Sequence, residues 1–208
     1  MGCGPFTPRT VLADAWDRWS RRCAELTADE WSTPTRCDGW DVAALVAHVC
    51  PGDSLFDQLS GAAIAGPAAV TDPADLLRTF NAPEGAAQTM AGDVAAGALA
   101  EARGLTPSLA AARFAVNAER LRAHPVDPDT VIAYPVVGSA TLAVVTEVAL
   151  MEATVHLLDL AAAVGGVEPS DEALSATRAL LIAVPEPVAA VEALAGRVPA
   201  RAAVPAIR

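Results

Sequence analysis

The chain has 208 residues and a mass of 21.2 kDa, which fits one domain of ordinary size rather than a multidomain assembly. Apolar residues make up 53% and charged residues 19%, so a packed core is available and global disorder is excluded. The formal net charge is −11, with no Lys, and such a charge repels phosphate backbones and anionic lipid surfaces. We therefore expect neither a nucleic-acid partner nor a membrane partner.

The composition favours helices over strands. Roughly a quarter of the residues are Ala, the strongest helix former, with a side chain small enough for helices to approach closely. Aromatic residues make up only 4%, and the β-branched residues show no sustained alternation of apolar and polar positions. These features exclude an all-β fold.

The first half of the chain predicts two clear helices. In the first, apolar side chains recur every three or four residues: Leu12, Trp16, Trp19, Cys23 and Leu26. Asp41 is a suitable N-cap for the second helix, over 42–50, which Pro51-Gly52 then kinks or breaks. Residues 27–30 are predicted as a turn and residues 31–35 as an extended link. Residues 54–64 are predicted to resume helical structure, and residues 66–73 to form a loop.

The second half predicts further helices from their start and stop residues. Thr106-Pro107 begins a helix that ends near His124, since Pro is favoured at the first helical position. Ser139 or Thr141 caps the longest helix, which stops at Gly165-Gly166. Residues 83–103 are predicted as an Ala-rich helix and residues 126–138 as a loop. Ser170 opens a helix over 170–184, and a short final segment follows over 187–196.

This order of elements predicts an all-α protein. The helices of residues 1–166 are expected to form an antiparallel bundle. Residues 167–208 are expected to add a short helical C-terminal extension that is not an independent domain. A homodimer is a possible assembly of such a chain.

We expect the chain to work in the cytoplasm. The N-terminal segment, Met1 to Pro8, has no basic region followed by an apolar one, so it predicts no secretory signal. The most apolar stretch, 140–164, carries ionisable groups that are costly in hydrocarbon, so it predicts a buried helix rather than a membrane span. No C-x-x-C spacing is present, and four cysteines are predicted as reduced thiols: Cys3, Cys23, Cys37 and Cys50.

The strongest chemical signal lies in the long helix. Glu152 and His156 stand four residues apart, so both side chains project from one face. A carboxylate and an imidazole inside so apolar a helix need partners, and with a third ligand such as His48 they would suit Zn²⁺. Asp159, one turn further on, is placed to accept the other N–H of His156. The alternative is a buried Glu–His hydrogen bond without a metal, since E-x-x-x-H also occurs by chance.

Two motifs carry a resemblance to a known family. Residues 34–40 read Pro-Thr-Arg-Cys-Asp-Gly-Trp, followed by a helix that contains His48. Residues 152–165 contain Glu152, Val155, His156, Asp159 and Leu160 in the order E-x-x-V-H-x-x-D-L-x-x-A-x-G. Both segments resemble the mycothiol-dependent maleylpyruvate isomerase family, within the wider DinB-like group of metalloenzymes.

The resemblance implies a fold, a metal and a co-substrate. The implied fold is a DinB-like four-helix bundle, and the implied metal is divalent, usually zinc, held by His48, Glu152 and His156. The implied co-substrate is a low-molecular-weight thiol, typically mycothiol. The isomerase that names the family carries a further C-terminal domain, and Pro51 beside the ligand helix predicts a bent helix and an altered pocket. We therefore expect a different substrate.

Other residues near the motifs are secondary candidates. Tyr134, the only tyrosine, precedes the metal helix and could donate a proton at the site. Arg36 could meet a substrate carboxylate, although a solvated surface position is the simpler interpretation. Cys37 is interpreted as packing rather than as a nucleophile. Trp40 is interpreted as an anchor of the loop onto the bundle, with a place in the pocket wall as the alternative.

These signals predict a metal-dependent thiol transferase or isomerase. The metal would lower the pKa of the thiol, and the thiolate would attack a small electrophilic substrate. Two alternatives remain open. One is a hydrolase or lyase that uses metal-activated water on the same scaffold. The other is a non-catalytic protein that binds a metal or a small molecule.

Overall fold

A computed structural model describes residues 7–124 and 126–202 of the chain. Cys3 and most of the N-terminal segment that predicts no secretory signal lie outside this range. The first eight helices of the described residues are α1 Pro8–Glu25, α2 Ala28–Trp31, α3 Val42–Val49, α4 Leu55–Gly61, α5 Pro73–Asn81, α6 Ala86–Thr89, α7 Ala91–Ala102 and α8 Pro107–Ala123. They are followed by β1 Val131–Tyr134, β2 Gly138–Thr141, α9 Leu142–Val164, α10 Asp171–Ala183, α11 Pro187–Leu194 and a short 3₁₀ helix, Ala200–Ala202.

The all-α prediction is correct in its main part, since helices predominate. The helix starts follow the capping residues that the sequence offers. Asp41 accepts a hydrogen bond from the Ala44 N–H at 2.9 Å, and Thr106 accepts one from the Leu109 N–H at 3.2 Å. Thr141 rather than Ser139 caps α9, accepting from the Val144 N–H. These side chains satisfy amide groups that a helix cannot bond internally.

Three helical segments differ from the sequence prediction. Residues 27–30 are mostly a short helix, α2, because Thr27 and Glu30 cap its start reciprocally. The Ala-rich stretch 83–103 is divided into α6 and α7. Helix α5 was not predicted, although Asp72 caps it and Pro73 occupies its first turn. At Pro51 the predicted break is present and the predicted bend is not: α3 ends at Val49, and Cys50, the residue before the proline, is its extended C-cap.

The predicted loop 126–138 contains a strand. Strands β1 and β2 pair antiparallel, with Val131 opposite Thr141 and Tyr134 opposite Gly138. Distant segments bind both strands: the Ile64 N–H donates to the Val131 carbonyl, and the Val70 N–H donates to the Ser139 carbonyl. Partners more than sixty residues away in the chain therefore hold this hairpin in place. Local sequence patterns cannot predict such partners.

The main core lies where α1 packs against α8 and α9, and α3 packs against α7 and α9. Trp19 of α1 is fully buried, and its indole stacks on Phe114 of α8 with ring centroids 5.4 Å apart. The indole N–H donates to the Ala153 carbonyl on α9 at 2.9 Å. One side chain thus joins three helices. A second apolar cluster lies between α5, α9, α10 and the hairpin.

Arg22 fixes the end of the long helix. Its side chain is almost fully buried and donates to the Gly165 carbonyl at 2.9 Å and to the Val164 carbonyl at 3.1 Å. It also pairs with Glu30 at 2.6 Å. The carbonyls at a helix C-terminus have no partner within the helix, so a guanidinium is well suited to them. Gly166 has a φ of +81°, and a side chain there would meet the Arg22 guanidinium.

Helix α10 packs against α9, α5 and α1. No single described helix is both long enough and apolar enough to cross a membrane, while α10 and α11 reach that length and apolarity only together and are bent by 119° at their junction.

Cys23, Cys37 and Cys50 are free thiols, as predicted. Burial raises the pKa of Cys23 and of Cys50 to about 12, so both remain protonated at neutral pH.

Val136 occupies a strained position at the tip of the hairpin. Its φ is +74°, and the Val137 N–H donates to the Pro135 carbonyl across it, which makes a tight three-residue turn. A β-branched residue is rarely found there. We expect Val136→Gly to increase the free energy of unfolding by about 1 kcal/mol, since Gly adopts this conformation without the Cβ clash.

Urea denaturation of the two proteins tests this expectation. Val137→Gly is the matched control, because Val137 is half-buried, packs against the second cluster and lacks a positive φ. It should lower the stability instead. A Val136→Gly protein that unfolds at a lower urea concentration than the parent contradicts the assignment of strain.

Candidate metal centre

Two helices bring three ligand side chains together. Helix α3 is buried along most of its length and packs against α9, so its last turn places His48 beside the middle of α9. Glu152 and His156 lie one turn apart on α9. Their donor atoms and one nitrogen of His48 all lie within 4.8 Å of one another. The structure thus brings together the three residues that the sequence proposed as ligands.

The separations suit a small cation. The Nε2 atom of His156 lies 3.3 Å from Glu152 Oε2, and the Nε2 atom of His48 lies 3.8 Å from the same oxygen. Ligands that hold Zn²⁺ tetrahedrally at 2.0–2.2 Å stand about 3.4 Å apart. Two imidazoles and a carboxylate also match the donor types that catalytic zinc sites use, with one position left for water or substrate. The residues therefore fit the metal that the sequence implied.

Asp159 fixes the orientation of His156, as the sequence predicted. Its Oδ2 atom lies 2.8 Å from His156 Nδ1, while the carboxylate is almost fully buried. A partner at Nδ1 holds that nitrogen protonated and leaves Nε2 free to face Glu152 and His48. Once Nε2 has lost its proton, this arrangement would present the lone pair that a metal requires.

The loop before α3 supplies two further contacts to Asp159. Arg36 donates from Nε to Asp159 Oδ1 at 2.5 Å, and the Cys37 thiol lies 3.5 Å from Oδ2. Cys37, His156 and Asp159 therefore form a second group of potential ligands that shares one histidine with the first. The sequence analysis did not join Arg36 and Cys37 to Asp159, because more than 120 residues separate them in the chain.

Trp40 forms a wall of the site rather than only an anchor for its loop. Its ring centroid lies 4.9 Å from that of His48 and 6.3 Å from that of His156, and the two imidazoles meet edge to face at 5.1 Å. The loop holds this position because the Thr35 N–H donates to the Trp40 carbonyl at 2.9 Å. The Gly39-Trp40 pair of the motif was the signal that could have indicated this role.

The site is strongly polarised. Desolvation opposes the charge on Glu152, but contacts with His156 and His48 outweigh it and lower its pKa to about 2. Desolvation likewise opposes protonation of His156, yet its bonds to Asp159 and Glu152 raise its pKa to about 9. Burial opposes the charge on Asp159 as well, and His156 and Arg36 nevertheless lower its pKa. Without a metal, Glu152 is therefore a carboxylate and His156 an imidazolium at neutral pH.

Tyr134 lies close to the site without a bond to it. Its ring stacks on Phe80 at 6.3 Å, and its hydroxyl makes no hydrogen bond to any described residue. Burial, and then the charge of Glu152, raise the pKa of Tyr134, so the hydroxyl keeps its proton. The role of Tyr134 as a proton donor stays a prediction. Neither His124, which follows α8, nor Cys50, which contacts the Ala110 carbonyl, belongs to the groups of potential ligands among the described residues.

The raised pKa of His156 gives the stability of the protein a pH dependence that a metal would reverse. Protonated His156 stabilises the metal-free fold fully below its ordinary pKa of 6.5, and this contribution is lost as pH rises through about 9. We expect the free energy of unfolding in the presence of a chelator to fall by about 1–3 kcal/mol over that range. Zinc needs the unprotonated imidazole, so zinc-loaded protein should become more stable over the same range.

Urea denaturation at three pH values measures both slopes. His124→Ala is the matched control, since this histidine lies outside the site and should leave both slopes unchanged. Equal slopes with chelator and with zinc would contradict the expectation.

Most of the sequence matches a family model. The model is described as the mycothiol maleylpyruvate isomerase N-terminal domain, and it matches residues 12–161. The matched span runs from α1 into α9 and includes every residue of the candidate centre. No curated protein and no solved structure matches the chain.

Proposed function

The chain belongs to the family of the mycothiol maleylpyruvate isomerase N-terminal domain, and from this premise we propose that it is a metal-dependent thiol transferase or isomerase. The proposed substrates are a low-molecular-weight thiol, such as mycothiol, and a small electrophile. The observation that carries the proposal is the convergence of His48, Glu152 and His156 from two helices onto one point. A carboxylate and two imidazoles brought together beneath a half-exposed Trp form a reactive site rather than a packed core.

His48, Glu152 and His156 would hold the metal, which we take to be zinc. When bound, the metal would lower the pKa of a thiol so that its thiolate is present at neutral pH. Glu152 would supply one negative charge against the two positive charges of the metal, so the centre would keep a net positive charge. Asp159 keeps His156 in the orientation that directs Nε2 into the site.

The remaining residues of the site would place the reactants. Trp40 stands against both imidazoles and presents an apolar face to whatever enters. Tyr134 keeps its proton at neutral pH and would supply it to the product after the thiolate has attacked. The 40% exposure of the Glu152 side chain leaves a path from solvent to the centre.

The proposal includes the architecture that the family implies. We take α1, α3, α8 and α9 as the four-helix bundle, since α1 packs against α8 and α9, and α3 packs against α9. Residues 1–166 would then be the metal-binding domain, and 167–208 a helical extension of it. The extension would support the bundle through the contact of α10 with α9.

Cobalt substitution tests whether a thiol coordinates the metal. Purified protein should contain close to one equivalent of divalent metal, and the cobalt-loaded form should gain a sulfur-to-cobalt charge-transfer band when mycothiol is added. Cys37→Ala is the control variant, because it removes the protein thiol that contacts Asp159. The band should persist in this variant. A centre that binds cobalt but gains no band would instead favour the metal-activated water mechanism, and a protein that binds no metal refutes both.

A further inference from the structure

Arg36 contacts Asp159 beside the candidate centre through only one of its guanidinium nitrogens. Its Nε–H donates to Asp159 Oδ1, and this is its one hydrogen bond to a described residue. The side chain is 58% exposed, while that of Asp159 is 7% exposed. The guanidinium therefore bonds the buried carboxylate through Nε alone, and neither terminal nitrogen is hydrogen-bonded to a described residue.

The Asp159 carboxylate makes only one hydrogen bond to the Arg36 guanidinium. An Arg and a carboxylate commonly pair through two parallel hydrogen bonds. Here the second oxygen of Asp159 already lies 2.8 Å from His156 Nδ1 and 3.5 Å from the Cys37 thiol. Arg36 is thus held by one bond, which limits its motion but leaves a planar pair of donors unused.

The other arginines with close contacts are engaged elsewhere. Arg22 is bonded to the end of α9, and Arg113 pairs with Asp53 and Glu101. Among the described residues, Arg36 is the one arginine bonded to a residue of the candidate centre. In a chain of net charge −11, a cation held beside the site attracts anions where the rest of the surface repels them.

We propose that the free edge of the Arg36 guanidinium binds a carboxylate group of the substrate, so that this site selects anionic electrophiles over neutral ones. The inference rests on the proposed function, and it adds the substrate class. Arg36 binds the carboxylate through its terminal N–H groups while Asp159 holds the guanidinium in place. The reactive part of the substrate then lies over the centre formed by His48, Glu152 and His156.

Calorimetric titration with succinate, and with its neutral diamide succinamide, tests this selection. Both probes are titrated into the zinc-loaded and the chelator-treated protein. We expect Arg36→Gln to weaken succinate binding about tenfold, the usual effect of losing a charge-assisted hydrogen bond, and to leave succinamide unaffected. Arg36→Lys should restore part of the affinity, because it keeps the charge but not the paired donors.

Arg21→Gln is the matched control, since Arg21 is exposed and the same charge is removed away from the site. It should leave the affinity for succinate unchanged. Equal losses of succinate affinity in both Gln variants would mean that net charge alone causes the effect, and this would overturn the inference. A parent protein that binds succinate no better than succinamide would overturn it as well. Zinc content, measured on the same samples, judges the proposed function separately, because a protein without zinc still reports whether Arg36 discriminates between the probes.

Discussion

His156→Ala is expected to remove the metal from the protein. The substitution deletes one of three proposed ligands and also leaves the buried Asp159 carboxylate without its main partner. Zinc bound by four protein ligands contributes about 10–16 kcal/mol, so one ligand corresponds to about 3 kcal/mol, or a hundred- to thousandfold in affinity. Elemental analysis after gel filtration should find less than a tenth of an equivalent of zinc, against close to one in the parent protein.

Two controls separate loss of the metal from loss of the fold. His124→Ala removes the histidine at the end of α8, which lies outside the site, and should retain the metal. Far-ultraviolet circular dichroism of His156→Ala should retain the helical signal, since the core residues of α9 are unchanged. A folded His156→Ala protein that binds zinc as tightly as the parent would falsify the proposed ligand set.

Trp19→Ala is expected to produce the largest loss of stability. Trp19 is fully buried, stacks on Phe114 and donates its indole N–H to the Ala153 carbonyl. Truncation of a buried Trp costs about 3–5 kcal/mol. The Ala153 carbonyl would also lose its indole donor, and this residue adjoins Glu152 of the candidate centre. Because natural domains are stable by only about 5–15 kcal/mol, we expect the urea midpoint to fall steeply.

Trp19→Phe divides this loss into its parts. Phe keeps most of the buried ring surface and loses the hydrogen bond, so we expect a decrease of about 1–2 kcal/mol in the free energy of unfolding. Trp31→Ala is the matched control, because Trp31 is only half-buried at the edge of the same core. It should cost clearly less than Trp19→Ala. Chelator is present throughout, so that metal binding does not contribute to the measured stability.

Local signals predicted most of the helices. The apolar spacing in α1, the caps Asp41 and Thr106 and the Gly165-Gly166 stop each act within a few residues, and the structure follows all of them. The hairpin β1–β2 escaped prediction because its strands are bonded to segments that lie far away in the chain. Tertiary partners of this kind override local propensity.

The sequence by itself determined the chemistry that the site can offer. Helix periodicity places Glu152, His156 and Asp159 along one side of α9, and the family resemblance that two motifs carry implies His48 as a further ligand. Only the tertiary structure decided how the loop before α3 joins them: Arg36 and Cys37 meet Asp159, and Trp40 covers both imidazoles. Spacing within a helix is fixed by its geometry, whereas contacts between a loop and a distant helix depend on how the whole core packs.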